Sequence, residues 1–333
     1  MHVTVCICTR NRTKSLIRAL ASVAASECRA FDLLIVDQGS TDETEQSIRD
    51  LRATLPQFPR LMYIRSATAG ASAAHNIAVS HATGDIIAFT DDDCEVLPQW
   101  LGHIVSYVET HPDVSQVCGA VLAGPYDPTR GFIPTYDARH ERQVASPWLK
   151  WREGGIGANM AFRLDALRSV GPFDEMLGTG APLHACLDGD MTYRMLKAGY
   201  TVATVPEICV IHHGFRTWDD GRVLMRNCGI GVAAAYTKHL RLGDVAVLPV
   251  LLLEWWRCIS WRRLLLLRRH SGLRRSFAFM QGIALSFRYT IDRDSSTYHY
   301  QASPDAVMLQ PLDDHVSVLP PHTHTPAMKP LAK

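Results

Sequence analysis

Short apolar runs alternate with helix-length segments over roughly the first 125 residues of the chain. Val3–Cys8, Leu33–Val36, Leu61–Arg65 and Ile86–Phe89 have the length and composition of buried strands. Apolar residues recur at helical spacing after the first run, and a helix of small residues is predicted over Gly70–His81. This order predicts an α/β fold with a mostly parallel, Rossmann-like sheet flanked by helices.

The middle of the chain has a different pattern. Residues 126–240 combine glycine-rich and proline-punctuated loops with a helix predicted over Asp188–Ala198, which Gly199 ends. We therefore expect one domain over residues 1–240. Its first half ends at residue 125, and its second half, residues 126–240, is expected to contain the substrate site.

The C-terminal third changes composition twice. Residues 241–300 are predicted to form a helical amphipathic extension, and the part from 255 to 291 contains eight arginines and no acidic residue. Such a segment can pack on the domain, attach to an anionic cytoplasmic membrane surface, or bind nucleic acid. Residues 301–333 are rich in proline and lack apolar periodicity, so we expect a disordered tail.

The composition and net charge of the chain exclude several classes of protein. The 333 residues are 47% apolar and 20% charged with a net charge of +1, which excludes a disordered or fibrous chain and gives no general reason for a nucleic-acid partner. The nine cysteines include no CxxC pair, which is typical of reduced thiols in the cytoplasm. The first apolar run is too short for a signal peptide. We therefore expect a cytoplasmic protein.

Polar residues follow several predicted strands, where the ligand crevice of an open α/β sheet lies. The three adjacent carboxylates Asp91, Asp92 and Asp93 repel one another unless a divalent cation or solvent offsets their charge. A hard metal with diphosphate oxygens fits this arrangement, and a solvated acidic turn is the alternative. Asp37 ends the second predicted strand and can contact a nucleoside or form an Asx turn with Ser40.

Further candidate groups lie in the second half. Asp188 and Asp190 begin a predicted helix, where a carboxylate can act as a general base or simply favour the positive helix end. His212 and His213 follow an apolar run and can supply a metal or phosphate contact, or form an ordinary histidine pair.

These residues belong to an ordered set of segments that resembles the inverting glycosyltransferases of family 2, which have the GT-A nucleotide-sugar fold. The set falls within residues 1–215, about two thirds of the chain. Its members are residues 3–12, 34–42, 74–76, 83–93, 157–163, 170–175 and 188–200.

The resemblance implies that Asp37 contacts the nucleoside, that Asp91 and Asp93 form the DxD element, and that Asp188 is the catalytic base. We expect the nucleotide sugar to contact Thr9, Arg10, Arg12, Asp37, Asn76, Asp91, Asp92 and Asn159. We expect Asp93 and His212 to bind Mn²⁺ or Mg²⁺. The implied reaction moves a sugar from a UDP-sugar or dTDP-sugar to a hydroxyl of a glycan or lipid-linked saccharide.

Three departures from the family pattern bear on these expectations. Leu187 replaces the glutamate that usually precedes the base, and His75 stands where many members have arginine. No Gln-x-x-Arg-Trp sequence follows Asp190, which favours single addition over processive synthesis.

A sugar-phosphate nucleotidyltransferase is disfavoured because residues 1–20 contain no glycine for a phosphate loop. A non-catalytic relative at a membrane surface is the other alternative.

Overall fold

The architecture comes from a computed structural model that describes residues 1–54, 60–153, 155–259, 271–299 and 315–319. Its strands are β1 Val3–Thr9, β2 Phe31–Asp37, β3 Leu61–Arg65, β4 Ile86–Asp91, β5 Cys94–Val96, β6 Val114–Ala123, β7 Gly131–Phe132, β8 Arg142–Val144, β9 Asn159–Arg163, β10 Thr201–His212, β11 Arg216–Thr217, β12 Ile291–Asp292, β13 Thr297–Tyr298 and β14 His315–Leu319. Its α-helices are α1 Thr13–Ala24, α2 Thr44–Thr54, α3 Ala71–His81, α4 Trp100–Thr110, α5 Leu164–Val170, α6 Leu187–Lys197, α7 Trp218–Arg241, α8 Leu248–Ile259 and α9 Ser271–Ser286. Two short 3-10 helices span Pro147–Arg152 and Val245–Val247.

One large sheet organises the chain. Its strand order is β14-β3-β2-β1-β4-β9-β6-β10-β5, and β8 pairs with β10 outside this path. Strands β1, β2, β3, β4, β6 and β10 share one direction, while β5, β8, β9 and β14 run against them. The predicted α/β fold with a mostly parallel sheet is confirmed.

Both faces of the sheet are covered because its strands are apolar on both sides. In β1, Val5 and Ile7 belong to one buried cluster with α1 and α4 residues such as Leu16 and Ile104. Cys6, on the opposite face, belongs to a second cluster with α3 and α6 residues. The continuous apolar run at the start of the chain thus forms a strand buried on both faces.

The strand ends collect the polar segments at one edge of the sheet. Register pairs Thr9 at the end of β1 with Asp37 at the end of β2, and it pairs Cys8 with Asp91 at the end of β4. At the far side of the sheet, His212 of β10 pairs with Cys94 of β5. This edge therefore carries the candidate chemistry, as expected for an open α/β sheet.

Helices α8 and α9 lie within residues 241–300, for which the sequence predicted a helical extension, whereas α7 ends where this range begins. Residues 260–270 and 300 lie outside the described residues. The disordered tail predicted over 301–333 is wrong for residues 315–319. They form β14, which pairs antiparallel with β3. β3 is the last strand of the parallel group and its outer edge leaves backbone groups to pair, which a run rich in valine can do. The rest of that predicted tail lies outside the described residues.

Two general expectations can be compared with these residues. The eight cysteines whose side chains the structure describes are free thiols. Across the described helices, none combines the length and apolar character needed to span a bilayer.

Candidate active site

The three consecutive aspartates lie where β4 ends, and the loop after β1 holds two of them. Asp92 accepts a hydrogen bond from Thr9 Oγ1 at 2.8 Å. Arg12 Nη1 donates to Asp92 Oδ1 at 2.7 Å and to Asp93 Oδ2 at 2.8 Å. The single charge of Arg12 thus offsets part of the charge of two buried carboxylates, and the Arg12 side chain remains partly exposed. Thr9, Arg12, Asp92 and Asp93 are thus brought together.

His212, the last residue of β10, adds an imidazole to this group of carboxylates. Its Nδ1 lies 2.8 Å from the carbonyl oxygen of Pro134, and its Nε2 lies 3.2 Å from Asp93 Oδ1. A carbonyl can only accept, so Nδ1 carries a hydrogen and Nε2 presents a lone pair whenever the ring is neutral. This is how histidine ligands are commonly oriented toward a metal.

Four side chains at this point have the arrangement of a metal site. One ligand atom from each of Asp91, Asp93, Cys94 and His212 lies within 4.8 Å of the others. Carboxylate and imidazole donors suit Mn²⁺ and, for the carboxylates, Mg²⁺. A Cβ atom at Gly214 would lie 2.4 Å from His212 Nε2 and 2.7 Å from Asp93 Oδ2, so this position needs a residue without a side chain. We refer to these four side chains as the carboxylate–histidine cluster, and its residues fit a divalent cation.

Charge within the cluster separates the two outer aspartates. Burial opposes ionisation of Asp93, but the hydrogen bond and charge of His212 and the charge of Arg12 prevail and lower the pKa of Asp93 to about 2. Asp91 is exposed to solvent overall, but protein surrounds its carboxyl group. This burial and the charge of Asp93 raise the pKa of Asp91 to about 7. A divalent cation would offset the repulsion that the second carboxylate experiences.

Asp37 lies at the same edge but is already engaged by its own loop. Its Oδ1 accepts from the backbone N–H of Ser40 at 2.8 Å, which is the Asx-type turn that the sequence left open. Its Oδ2 accepts from Tyr63 Oη at 2.5 Å, and Asp37 is buried. An open cavity of about 330 Å³ lies beside this loop, with Ser40, Tyr63 and Arg65 among its lining residues.

Three other residues that were expected to contact the nucleotide sugar, Arg10, Asn76 and Asn159, lie outside the group formed by the aspartates, Arg12 and His212. Arg10 is exposed on the loop after β1. Asn76 exchanges hydrogen bonds with the backbone of Phe173 and donates to Glu175, so its amide ties α3 to the loop before α6.

Asn159 is buried at the start of β9, between β4 and β6. Its amide donates to the carbonyl oxygens of Ala120 and Ile208, and its own carbonyl accepts from Trp100 Nε1. The structure engages both N–H groups of each amide in packing hydrogen bonds, so Asn76 and Asn159 retain only the second lone pair of the amide oxygen for a donor contact.

Asp188 is held at the start of α6 by two backbone groups. Its Oδ2 accepts from Gly157 N at 2.9 Å and its Oδ1 accepts from Gly189 N at 2.8 Å. Gly157 lies two residues before β9, whose first residue, Asn159, pairs with Thr90 next to the aspartates. Asp188 is only partly buried, so an oriented carboxylate is available on the same side of the sheet as the carboxylate–histidine cluster.

Asp190 has a different environment although it is two residues away. It is buried, and its Oδ1 lies 2.9 Å from Lys238 Nζ and 2.8 Å from His239 Nε2. Lys238 also lies 2.6 Å from Asp174, so a buried ionic network joins α6, α7 and the loop before α6. Burial opposes ionisation of Asp190, but the charge of Lys238 and the hydrogen bond with His239 hold its pKa well below the ordinary range. Asp190 therefore supports the helix that carries Asp188.

Sequence reasoning missed several members of this region. Cys94 directly follows the aspartates and Gly214 directly follows the histidine pair. Neither residue type indicates a site by itself, so neither was predicted. Tyr63 and Lys238 reach their partners only through the tertiary fold. Leu187, in place of the expected glutamate, packs with two apolar clusters.

Sequence comparison relates this chain to a family of known proteins. A sequence profile described as glycosyl transferase family 2 matches residues 4–171. The glycosyltransferase AglE of Haloferax volcanii is 28% identical over 183 residues, which are 55% of this chain and 56% of AglE. A glucosyl-dolichyl phosphate glucuronosyltransferase from the same organism is 25% identical over 189 residues, 55% of this chain and 59% of that protein. The matched region thus spans little more than half the length of these curated relatives.

A solved structure has the same architecture. The mannosyltransferase PcManGT from Pyrobaculum calidifontis, in complex with GDP-Man and Mn²⁺, superposes with a TM-score of 0.56 at 19% sequence identity. The superposition covers 86% of this chain and 85% of that one. At this identity the likeness shows the GT-A fold.

Proposed function

The chain belongs to glycosyl transferase family 2, and from that premise we propose that it moves a sugar from a nucleoside-diphosphate sugar to an acceptor hydroxyl with inversion at the anomeric carbon. The observation that carries the proposal is the placement of the carboxylate–histidine cluster and the oriented Asp188 at one edge of the sheet. Diphosphate binding and proton removal are the two tasks that such a transfer requires.

The cluster is proposed to serve the diphosphate. Asp91, Asp93 and His212 would hold Mn²⁺ or Mg²⁺, and the bound ion would offset the charge of the nucleoside diphosphate as it leaves. Arg12 holds Asp92 and Asp93 in place by hydrogen bonds, and because its side chain remains partly exposed it can also contact a phosphate oxygen. The PcManGT complex, which contains Mn²⁺ and a nucleotide sugar, supports the same kind of site in this fold.

The nucleoside is proposed to bind near the loop after β2. Each oxygen of Asp37 accepts one protein hydrogen bond and retains a second lone pair, so a base or ribose contact need not break the existing bonds. The adjacent cavity of about 330 Å³ is large enough for a small ligand. We keep UDP-sugar and dTDP-sugar as the predicted donors, and Arg10 as a predicted contact at the loop surface.

Asp188 is proposed as the catalytic base. Gly157 and Gly189 fix its carboxylate, which accepts the proton of the acceptor hydroxyl as the new C–O bond forms. The anomeric bond to the diphosphate breaks on the opposite side of that carbon, and the pair of electrons leaves with the diphosphate. The configuration at the anomeric carbon is therefore inverted.

The acceptor is proposed to be a glycan or lipid-linked saccharide that receives a single sugar. The name of the glucosyl-dolichyl phosphate glucuronosyltransferase supports a lipid-linked acceptor, and the missing Gln-x-x-Arg-Trp sequence supports single addition. We propose that the reaction takes place on the cytoplasmic side.

A donor screen tests the proposal. Release of nucleoside diphosphate is measured for UDP-, dTDP- and GDP-sugars with Mn²⁺ or Mg²⁺ present, with and without a chelator. We expect turnover of at least one donor that the chelator abolishes and added Mn²⁺ restores. Tight binding of nucleoside diphosphate without turnover of any donor would instead indicate a non-catalytic relative, and pyrophosphate release from a nucleoside triphosphate and a sugar phosphate would indicate a nucleotidyltransferase.

A further inference from the structure

Helix α8 is apolar on two opposite sides. Val250, on its inner side, is buried with Tyr193 and Tyr236. The outer side carries a row of exposed residues spaced by four, three and one positions, which places them on one helical face: Leu248, Leu252, Trp255 and Trp256. Trp256 keeps 57% of its surface exposed. Packing on the domain explains the inner side of α8, whereas Leu252 and Trp255 on the outer side keep 58% and 40% of their surface exposed.

Helix α9 repeats this arrangement beside α8. Phe279 is buried against Ala233 of α7, so the inner side of α9 is anchored. Phe277 and Met280 are exposed three residues apart on one side of the helix, and Phe287 is exposed just after the helix ends. Phe277 is 74% exposed. Two neighbouring helices thus each present an apolar row to solvent.

The 3-10 helix Pro147–Arg152 lies against α8 and extends the apolar rows. Its Lys150 is buried and pairs with Glu153 at 3.0 Å, which anchors the turn to the domain. The flanking Trp148 and Trp151 are left 50% and 42% exposed. This segment lies outside residues 255–291, for which the sequence left membrane attachment open as one of three roles.

We call these exposed apolar residues the docking surface: Trp148, Leu149, Trp151, Leu248, Leu252, Trp255, Trp256, Phe277, Met280 and Phe287. Exposed arginines stand beside it at positions 152, 257, 274 and 288, of which Arg257 pairs with Glu254. Four more arginines of the acid-free segment, at 262, 263, 268 and 269, lie outside the described residues. Tryptophan, leucine and phenylalanine bordered by arginine suit the headgroup region of an anionic bilayer.

We propose that the docking surface attaches the protein to an anionic membrane. The apolar rows enter the boundary between headgroups and acyl chains, and the arginines contact anionic headgroups. Charge complementarity decides for this partner, because exposed arginines border the docking surface in the described residues and the sequence from 255 to 291 contains no acidic residue.

The attachment also bears on the acceptor, and this consequence alone rests on the proposed function. Gly157, whose N–H holds Asp188, follows Arg152 by five residues, which span at most about 18 Å of extended chain. The membrane surface is therefore near the base, as a lipid-linked acceptor requires. Vesicle binding needs no donor and no turnover, so the attachment and the transferase reaction can fail independently.

Co-sedimentation with vesicles tests the attachment. Vesicles of phosphatidylglycerol and phosphatidylcholine are compared with vesicles of phosphatidylcholine alone, at low and at high salt. We expect the full chain to bind the anionic vesicles at low salt, with binding at least tenfold weaker at high salt or on the zwitterionic vesicles. Equal binding to both vesicle types, or no binding to anionic vesicles at low salt, would overturn the proposal.

Two variants and a matched control locate the contact. The double variant Trp148→Ser/Trp151→Ser and the variant Phe277→Ser should each reduce binding to anionic vesicles about tenfold or more. Trp218→Ser is the control, because Trp218 is equally exposed but lies at the start of α7, beside Phe132. Circular dichroism and thermal unfolding confirm that each variant is folded. Wild-type vesicle binding by the folded Trp148→Ser/Trp151→Ser variant, or a dimer that this variant abolishes in size-exclusion chromatography, would contradict the membrane assignment.

Discussion

The change Gly214→Ala tests the carboxylate–histidine cluster without removing any of its ligand atoms. The added Cβ would lie 2.4 Å from His212 Nε2 and 2.7 Å from Asp93 Oδ2, whereas ordinary contact begins at 3.4 Å. To restore ordinary contact with a fixed backbone, His212 Nε2 must move by about 1.0 Å and Asp93 Oδ2 by about 0.7 Å. His212 cannot swing freely, because its Nδ1 is bonded to the Pro134 carbonyl at 2.8 Å.

Metal–ligand distances in working sites stay within about 0.2 Å of their ideal values, so a displacement of this size disrupts coordination. Changes that disturb the groups orienting a ligand typically weaken metal affinity about 10- to 100-fold, and we expect the same range here. Titration calorimetry with Mn²⁺ in the presence of UDP or GDP measures the change. Overpacking should also lower the free energy of unfolding by about 1–3 kcal/mol.

Gly102→Ala is the matched control. No heavy atom lies within 4 Å of the Cβ position at Gly102, which is in α4, and the substitution should leave Mn²⁺ affinity unchanged. A folded Gly214→Ala protein that binds Mn²⁺ as tightly as the wild type would refute the assignment of Asp93 and His212 to a metal.

The remaining predictions concern the buried network and its titration. Lys238→Met leaves Asp174 and Asp190 without their shared cation and should cost about 3–5 kcal/mol in urea unfolding; a loss below about 1 kcal/mol would contradict this. Because the folded pKa of Asp190 is depressed, its contribution to stability is present above its unfolded pKa of about 3.9 and is lost as pH falls further. The unfolding free energy of Asp190→Asn should therefore depend less on pH below about 4 than that of the wild type, and equal slopes would be inconsistent with the network.

The strands and the position of the site could be predicted from local pattern. Four apolar runs matched β1, β2, β3 and β4 because strands buried on both faces have continuous apolar sequences. The aspartates and His212 were found because parallel strands end at one edge, so polar residues after separate strands meet there. The four strands and the position of the site can therefore be predicted without knowledge of long-range contacts.

The roles that could not be predicted depend on pairings between distant segments. Asn159 was expected at the donor, but β9 inserts antiparallel between β4 and β6 and buries its amide against Trp100. Lys238 lies among small and apolar residues of α7, and only the fold shows that two carboxylates surround it. The strand β14 forms because β3 presents an open edge, which no local pattern in the tail reveals.

The central claim is that Asp188 removes the acceptor proton while the carboxylate–histidine cluster holds the donor. The most direct measurement compares wild type with Asp188→Asn, recording donor affinity by calorimetry and the transfer rate in a single turnover with Mn²⁺ present. We predict nearly unchanged donor affinity and a transfer rate lower by about 10² or more, the usual scale for a lost general base. Wild-type transfer by the Asp188→Asn protein, or a larger loss of rate in a folded Asp190→Asn protein, would contradict the account.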